Sequence, residues 1–346
     1  MAEQNARNCN ELRVGGLLVS KLITLGKAGN GKEFATARLT LEVGENQRVD
    51  LEIFSMRNTS SGAESKIYQN LMTIKDEYKS LDSQFVDKRN KKDAQPVKHE
   101  ATTVASKEEV DFVYANKGVK LSNNRYMNNG ELVTNFRLTA NFVNRAKEGM
   151  HNVPYLEGTL VGVCGNDVER MIDNNGDIVG LKLDFLVPEF RKGYTNRFGE
   201  EIADSVAVER YELVLRQPTD DALDYCEEEF VKGRVCSIGV EPMSRIEQAE
   251  VKKEDKPKRG FGNVPTFEPT TKVSREIRII GGYALDEDEY ENDEAFDFNK
   301  IGEGVKALEE KIESIKESNG KTVEVPKGFG RANKPSGKSG GMNFPF

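Results

Sequence analysis

Phe34, Arg38, Arg48, Phe54 and Arg57 alternate with apolar residues along two neighbouring segments of the chain. A period of two places such residues on one side of an extended strand. A flat ring can stack a base and a guanidinium can hold a phosphate, which are the two contacts a single nucleic-acid strand requires. Lys27 and Lys32 lie in the turn just before Phe34, while Lys117, Lys120, Arg125, Tyr126 and Arg137 lie along a later hairpin, with Phe136 facing away from Arg137. Farther on, Arg191, Lys192, Tyr194, Arg197 and Phe198 crowd into one loop, an interleaving suited to a clamp on a strand. Taken singly, each ring serves equally well in the core of a small barrel and each cation on a solvated surface. Their combination on one sheet carries the reading.

Other chemistries find less support. Gly26-Lys-Ala-Gly-Asn-Gly31-Lys32 has the spacing of a phosphate-cradling loop, but Glu33 stands where Ser or Thr would hold magnesium, and a strand follows instead of a helix. It reads as a hairpin turn. His99 and His151 have no neighbouring nucleophile or metal-ligand spacing, and Cys9, Cys164, Cys226 and Cys236 form no Cys-x-x-Cys pair. No enzyme activity, cofactor or metal is expected, and the scattered thiols suit a reducing cytoplasm. With no long apolar run, no membrane span is expected either.

The elements that would position these residues recur in two rounds. Residues 13–25, 33–43 and 47–56 read as strands, 63–84 as a helix with Ile67, Leu71, Ile74, Tyr78 and Leu81 on one stripe, and 111–121 and 132–145 as two further strands. Residues 87–109, rich in lysine, read as a mobile insertion. Strands at 155–163, 178–190 and 206–216, a helix at 220–230 and strands at 233–246 and 273–283 repeat the order, with a basic Pro/Gly-rich insertion at 252–269. The turns Asn128-Asn-Gly130 and Asn174-Asn-Gly176 favour tight hairpins. Two domains, 1–150 and 151–285, therefore precede a tail at 286–346. Its acidic block, one amphipathic helix at 304–317 and Gly/Lys-rich end cannot bury enough apolar surface to fold alone.

Charge follows the same division. The whole chain carries a net −8, yet residues 1–155 hold 23 Lys+Arg against 19 Asp+Glu, whereas residues 286–317 hold 4 against 13. A mildly basic body with an acidic appendage suggests that the tail competes with a nucleic acid for the basic groove.

Val14-Gly-Gly-Leu-Leu-Val19, Phe34-Ala-Thr-Ala-Arg-Leu-Thr-Leu41 and Val49-Asp-Leu-Glu-Ile-Phe54 make the first domain resemble the single-stranded DNA-binding proteins of bacteria and their phages. The resemblance implies a mainly β chain of two tandem, five-stranded OB-fold-like barrels followed by a disordered tail. It implies non-sequence-specific binding and protection of single-stranded DNA in replication, recombination and repair, in the cytoplasm or in the host's cytoplasm for a phage protein. It also implies that Phe344, Pro345 and Phe346 dock replication or recombination proteins. Here Gly340-Gly-Met-Asn precede Phe344, where that family has acidic residues, and two barrels replace one, which suits a monomer or dimer. A protein–protein adaptor and an RNA-binding barrel protein are the alternatives.

Overall fold

The computed structural model describes residues 6–147, 152–195, 199–253 and 266–320, with side chains described outside 246–253, 266–273 and 318–320. Arg197, Phe198, residues 254–265 of the basic insertion, and residues 321–346 with Phe344, Pro345 and Phe346 lie outside the described residues. The protein is mainly β. Its first half comprises β1 (Asn10–Lys27), β2 (Glu33–Gly44), β3 (Gln47–Met56), α1 (Lys66–Glu77), β4 (Asp82–Asp87), β5 (Val97–Lys98), β6 (Phe112–Asn128), β7 (Glu131–Thr139) and β8 (Asn144–Arg145). The second half begins with β9 (Tyr155–Cys164), β10 (Glu169–Ile172), β11 (Ile178–Arg191), β12 (Tyr194–Thr195), β13 (Glu201–Ile202) and β14 (Ser205–Arg216). It continues with α2 (Asp220–Glu229), β15 (Val235–Lys253), β16 (Thr266–Ala284) and α3 (Phe298–Gly320).

Two closed cycles of strand pairing organise the sheet. In the first, β1 pairs β2, β2 pairs β3, β3 pairs β7 in parallel at Leu51↔Leu138, β7 pairs β6, and β6 returns to β1. In the second, β9 pairs β11, β11 pairs β14, β14 pairs β16 in parallel at Leu213↔Ile277, β16 pairs β15, and β15 returns to β9. Antiparallel pairing of Asn10–Gly15 with residues 155–160 joins the cycles into one sheet. Alternation explains the interior: Ala35, Ala37, Leu39 and Leu41 of β2 and Val49, Leu51 and Ile53 of β3 are buried, while the residues between them face out.

Four expectations are corrected. The first helix is shorter than 63–84. Ser65 caps its start, and Lys21 ends it by donating from Nζ to the carbonyls of Ile74, Lys75 and Tyr78 at 2.6, 2.9 and 2.6 Å. Residues 82–87 form β4 instead, parallel to β1. The 87–109 insertion is held in place: β5 pairs β4, Thr102 is buried against Ser83, and Lys107 reaches Glu42. The 252–269 insertion is partly sheet, since the β15–β16 ladder extends to Lys253↔Thr266. Finally, residues 286–320 pack on the body rather than forming a disordered tail. Arg7 Nε contacts Asp293 Oδ2 at 2.6 Å, Phe296, Ile301 and Leu308 are buried, and the helix begins at Phe298 rather than at 304. The burial of those apolar side chains offsets the entropy that was expected to leave the segment loose.

Candidate nucleic-acid interface

The outward sides of β2, β3, β7 and β6 form one continuous face. Register places Phe34 opposite Met56, Thr36 opposite Phe54, and Arg38 opposite Glu52. Glu52 in turn pairs Thr139 of β7, whose outward neighbour Arg137 pairs Ser122 of β6. Side chains complete the row. Glu52 accepts from Arg38 at 3.3 Å through one oxygen and from Arg137 at 3.2 Å through the other, and Arg137 also donates to Ser122 Oγ at 3.3 Å. At one end the rings of Phe34 and Phe54 lie 5.8 Å apart at 35°, with Phe54 54% exposed. Toward the other end, Tyr126 stands on the same side of the β6–β7 hairpin as Arg137 and accepts from Asn135 at 3.1 Å. The type I′ geometry at this hairpin tip uses positive φ at Asn129 (50°) and Gly130 (86°).

Glu42 and Glu52 hold cations of this face, and Glu33 holds others at the adjoining end of the strands, where it falls in the register of Ala35 rather than of Phe34. Glu33 gathers Lys27, Arg57 and Arg89, Glu42 gathers Arg48 and Lys107, and Glu52 gathers Arg38 and Arg137. Each acid thus fixes two or three cations, although Asp50, Glu64 and Asp87 temper the positive excess. Partial burial would raise the Glu42 carboxyl, but hydrogen bonds from Lys107 and Arg48 outweigh it and hold it below its ordinary value. Hydrogen bonds from Arg89 bring Asp87 down to about 2. Beside the aromatic pair, Lys32, Arg57 and the 58–64 loop line an open cleft of about 650 Å³. The β1–β2 turn that resembled a phosphate loop is a hairpin closed by Ala28 N donating to Lys32 O at 2.8 Å.

Most of the expected residues in the first half therefore lie on this face or, as Lys27, Lys32 and Arg57 do, at its adjoining end, and three stand apart. Arg125 points to the opposite side of its hairpin: its side chain is only 8% exposed, and it pairs Glu209 at 3.1 Å and donates to Arg210 O. It joins the halves instead of lining the face. Lys117 lies exposed next to the irregularity at Gly118 of β6, two strands away from β3. Lys120 is on the outward side but engages Glu189 of β11 at 2.5 Å. Glu189 also contacts Arg191 at 3.3 Å, so the exposed Arg191, Lys192 and Tyr194 begin where the first half's face ends. Arg89, Lys107 and the three organising glutamates were missed. Arg89 and Lys107 come from a segment without periodicity, and nothing local marks which acid shares which cations.

The corresponding strands of the second half, β11 and β14, present a different face. Outward Pro188, Val206 and Val208 are buried, because the 294–296 turn and α3 cover them. Gly304 approaches so closely that a Cβ there would lie 2.4 Å from Val206 O, and Lys300 Nζ stands 6.0 Å from the centre of the Phe190 ring. The remainder of this face carries the ion pairs Asp184–Arg210 at 3.1 Å and Lys182–Glu212 at 3.3 Å.

Fold and site together define a mainly β protein with two closed five-strand cycles, one carrying an open cationic and aromatic face and the other a covered one. The profile of the YorF family matches residues 8–318, and the chain belongs to that family. No curated protein matches it. Among solved structures, the single-stranded DNA binding protein from Thermus aquaticus is similar at 8% identity and TM-score 0.40, over 81% of this chain and 95% of that one. The Plasmodium falciparum SSB complex with ssDNA aligns at 16% identity and TM-score 0.22, over 41% of this chain and 100% of that one. A small single-stranded DNA-binding protein from Streptomyces coelicolor aligns at 9% identity and TM-score 0.18, over 37% and 93%.

Proposed function

We propose that this chain binds single-stranded DNA without sequence preference on the outward face of β2, β3, β7 and β6. The observation that carries this reading is the Arg38–Glu52–Arg137 row lying between the Phe34–Phe54 pair and Tyr126. Guanidiniums fixed by a shared carboxylate keep donors for phosphate oxygens, and the exposed rings accept any base, since every base has a stacking face. The two cycles are OB-type barrels in tandem, in domains spanning 1–150 and 151–285. The first is the principal strand-binding unit, because α3 occupies the matching face of the second. Arg191, Lys192 and Tyr194, continued by Arg197 and Phe198, clamp the strand as it leaves the first barrel past Lys120. The protein thereby covers single strands during replication, recombination or repair in the cytoplasm, or in a host's cytoplasm if phage-encoded. Phe344, Pro345 and Phe346 recruit partner proteins.

A salt titration of full-length protein against oligo-dT and the matching oligo-U tests this reading. The expected result is tighter binding of dT, with log affinity falling linearly with log salt at a slope of about −0.7 for each phosphate engaged. Equal or tighter binding of oligo-U transfers the function to RNA. Absence of binding to either strand at low salt sinks the proposal and leaves the protein–protein adaptor.

A further inference from the structure

Three arginines outside this face converge on the second half. Arg216 at the end of β14, Arg278 on β16 and Arg245 on β15 line a polar pocket of about 170 Å³ with Met243, Ser274 and Glu276. The fold brings them together across the parallel β14–β16 seam and the antiparallel β15–β16 ladder, in which Met243 faces Glu276 and Arg245 faces Ser274. Glu276 accepts from Arg216 Nε at 3.1 Å and Nη2 at 2.7 Å, and from Arg278 Nε at 2.5 Å. One carboxylate therefore orients two guanidiniums while leaving other N–H groups of both for a ligand. Arg245 is exposed, and among the described residues no ion pair engages it. Three cations against one acid leave an excess of positive charge in a polar recess that has no ring on which a base could stack. The chemistry that fits is a phosphate oxyanion, whose oxygens match the guanidinium fork. Arg245 is also paired with Gln47, the residue before Arg48 at the start of β3, so the pocket adjoins the junction with the first barrel.

We propose that Arg216, Arg245 and Arg278 form a phosphate-binding station that engages the backbone of a strand extending beyond the first barrel. Its role on a strand rests on the single-strand reading, whereas its affinity for phosphate does not. Anisotropy is measured with short oligo-dT, long enough only for the first face, and with long oligo-dT, for the wild type, Arg245→Gln and Arg216→Gln. In parallel, inorganic phosphate is titrated against thermal stability. The expected result is that each variant loses roughly fivefold to tenfold affinity for the long strand, loses about 0.7 from its salt slope, and binds the short strand unchanged. Arg245 has no ion pair to lose among the described residues, so this variant separates binding from folding. If the wild type binds no strand but inorganic phosphate raises its melting temperature, and Arg245→Gln abolishes that rise, the station stands as a site for free phosphate and the strand reading falls. If the long strand and inorganic phosphate act identically on the wild type and both variants, the station is overturned.

Discussion

Phe54 is half-exposed on an otherwise well-packed sheet, and among the described residues Phe34 is its aromatic neighbour. Truncation removes a stacking platform but little buried surface. Phe54→Ala is expected to weaken oligo-dT binding by about 1–3 kcal/mol while moving stability by no more than about 0.5 kcal/mol. Anisotropy and a urea melt check both halves of that statement, and an unchanged affinity removes Phe54 from the interface. Lys21 is the opposite case, a cation buried for the sake of the fold. It offers its three N–H donors to the three carbonyls at the end of α1, a position favoured by the helix dipole. Burial nevertheless lowers its pKa from 10.5 to about 8. Between those values the unfolded chain binds more protons than the folded one, so the Lys21 contribution makes stability rise with pH across that window. Lys21→Met leaves the carbonyls without their donor and is expected to cost about 1–3 kcal/mol at neutral pH. The gap between wild type and variant should then widen from pH 8 toward 10.5. Paired denaturant melts through that range measure the gap, and a gap that narrows contradicts the assignment.

At the scale of elements, the packing of α3 on β14 decides which strand cycle keeps an open outward face. Gly304 allows the contact, since a larger residue meets Val206 O at 2.4 Å and Val208 Cγ2 at 2.8 Å. Gly304→Val is expected to lift the helix from the sheet at a cost of about 1–3 kcal/mol, and to speed hydrogen exchange in α3 and in residues 205–208 together. Exchange that remains slow in both would show that the helix is held elsewhere. This contact also marks where the sequence stops being legible. The strands of both halves, their order and their inward residues follow from alternation, because each barrel strand has one wet side and one dry side. The stripe of Val305, Leu308, Ile312 and Ile315 announces a helix but not its partner. Acid-rich composition argued for a loose segment, yet burial of Phe296, Ile301 and Leu308 and the Arg7–Asp293 pair seat it. A clue was present in β11 and β14, where Pro188, Phe190, Val206 and Val208 make the supposedly wet side apolar, as in a strand covered on both faces. Lys21 was invisible for a similar reason. A lysine in a strand reads as surface until the helix it caps is placed beside it.

Across the whole molecule, a net charge of −8 coexists with a cationic face because acid and base are distributed by position: Asp293 is bound to Arg7, and α3 packs on β14 and β6. A tail that competes for the strand is therefore not required to reconcile an acidic chain with binding of a polyanion. The face and its covered counterpart keep a fixed relation only if the two strand cycles move as one body, and that depends on the β1–β9 junction. Six consecutive residues of β1 pair across it, and beside it the Tyr211 hydroxyl of β14 donates at 2.7 Å to the Leu121 carbonyl of β6, which the Asn10 side chain of β1 also engages at 2.7 Å. One contiguous set of buried residues runs through both cycles. The wild type should consequently unfold in a single transition, with β2–β3 and β11–β14 losing hydrogen-exchange protection at the same urea concentration. Gly158 is the point at which the junction can be opened: a Cβ there lies 2.6 Å from Leu12 Cα and 2.5 Å from Glu11 O. Gly158→Val should force the strands apart and separate the two midpoints, while each cycle keeps its own closing pairs. Short oligo-dT, which needs only the first face, should bind this variant as it binds the wild type, whereas a long strand should bind less tightly because its second contact is no longer held in position. Two separate midpoints in the wild type itself would mean that the two cycles are independent, and the proposed strand path across them would then have no fixed geometry.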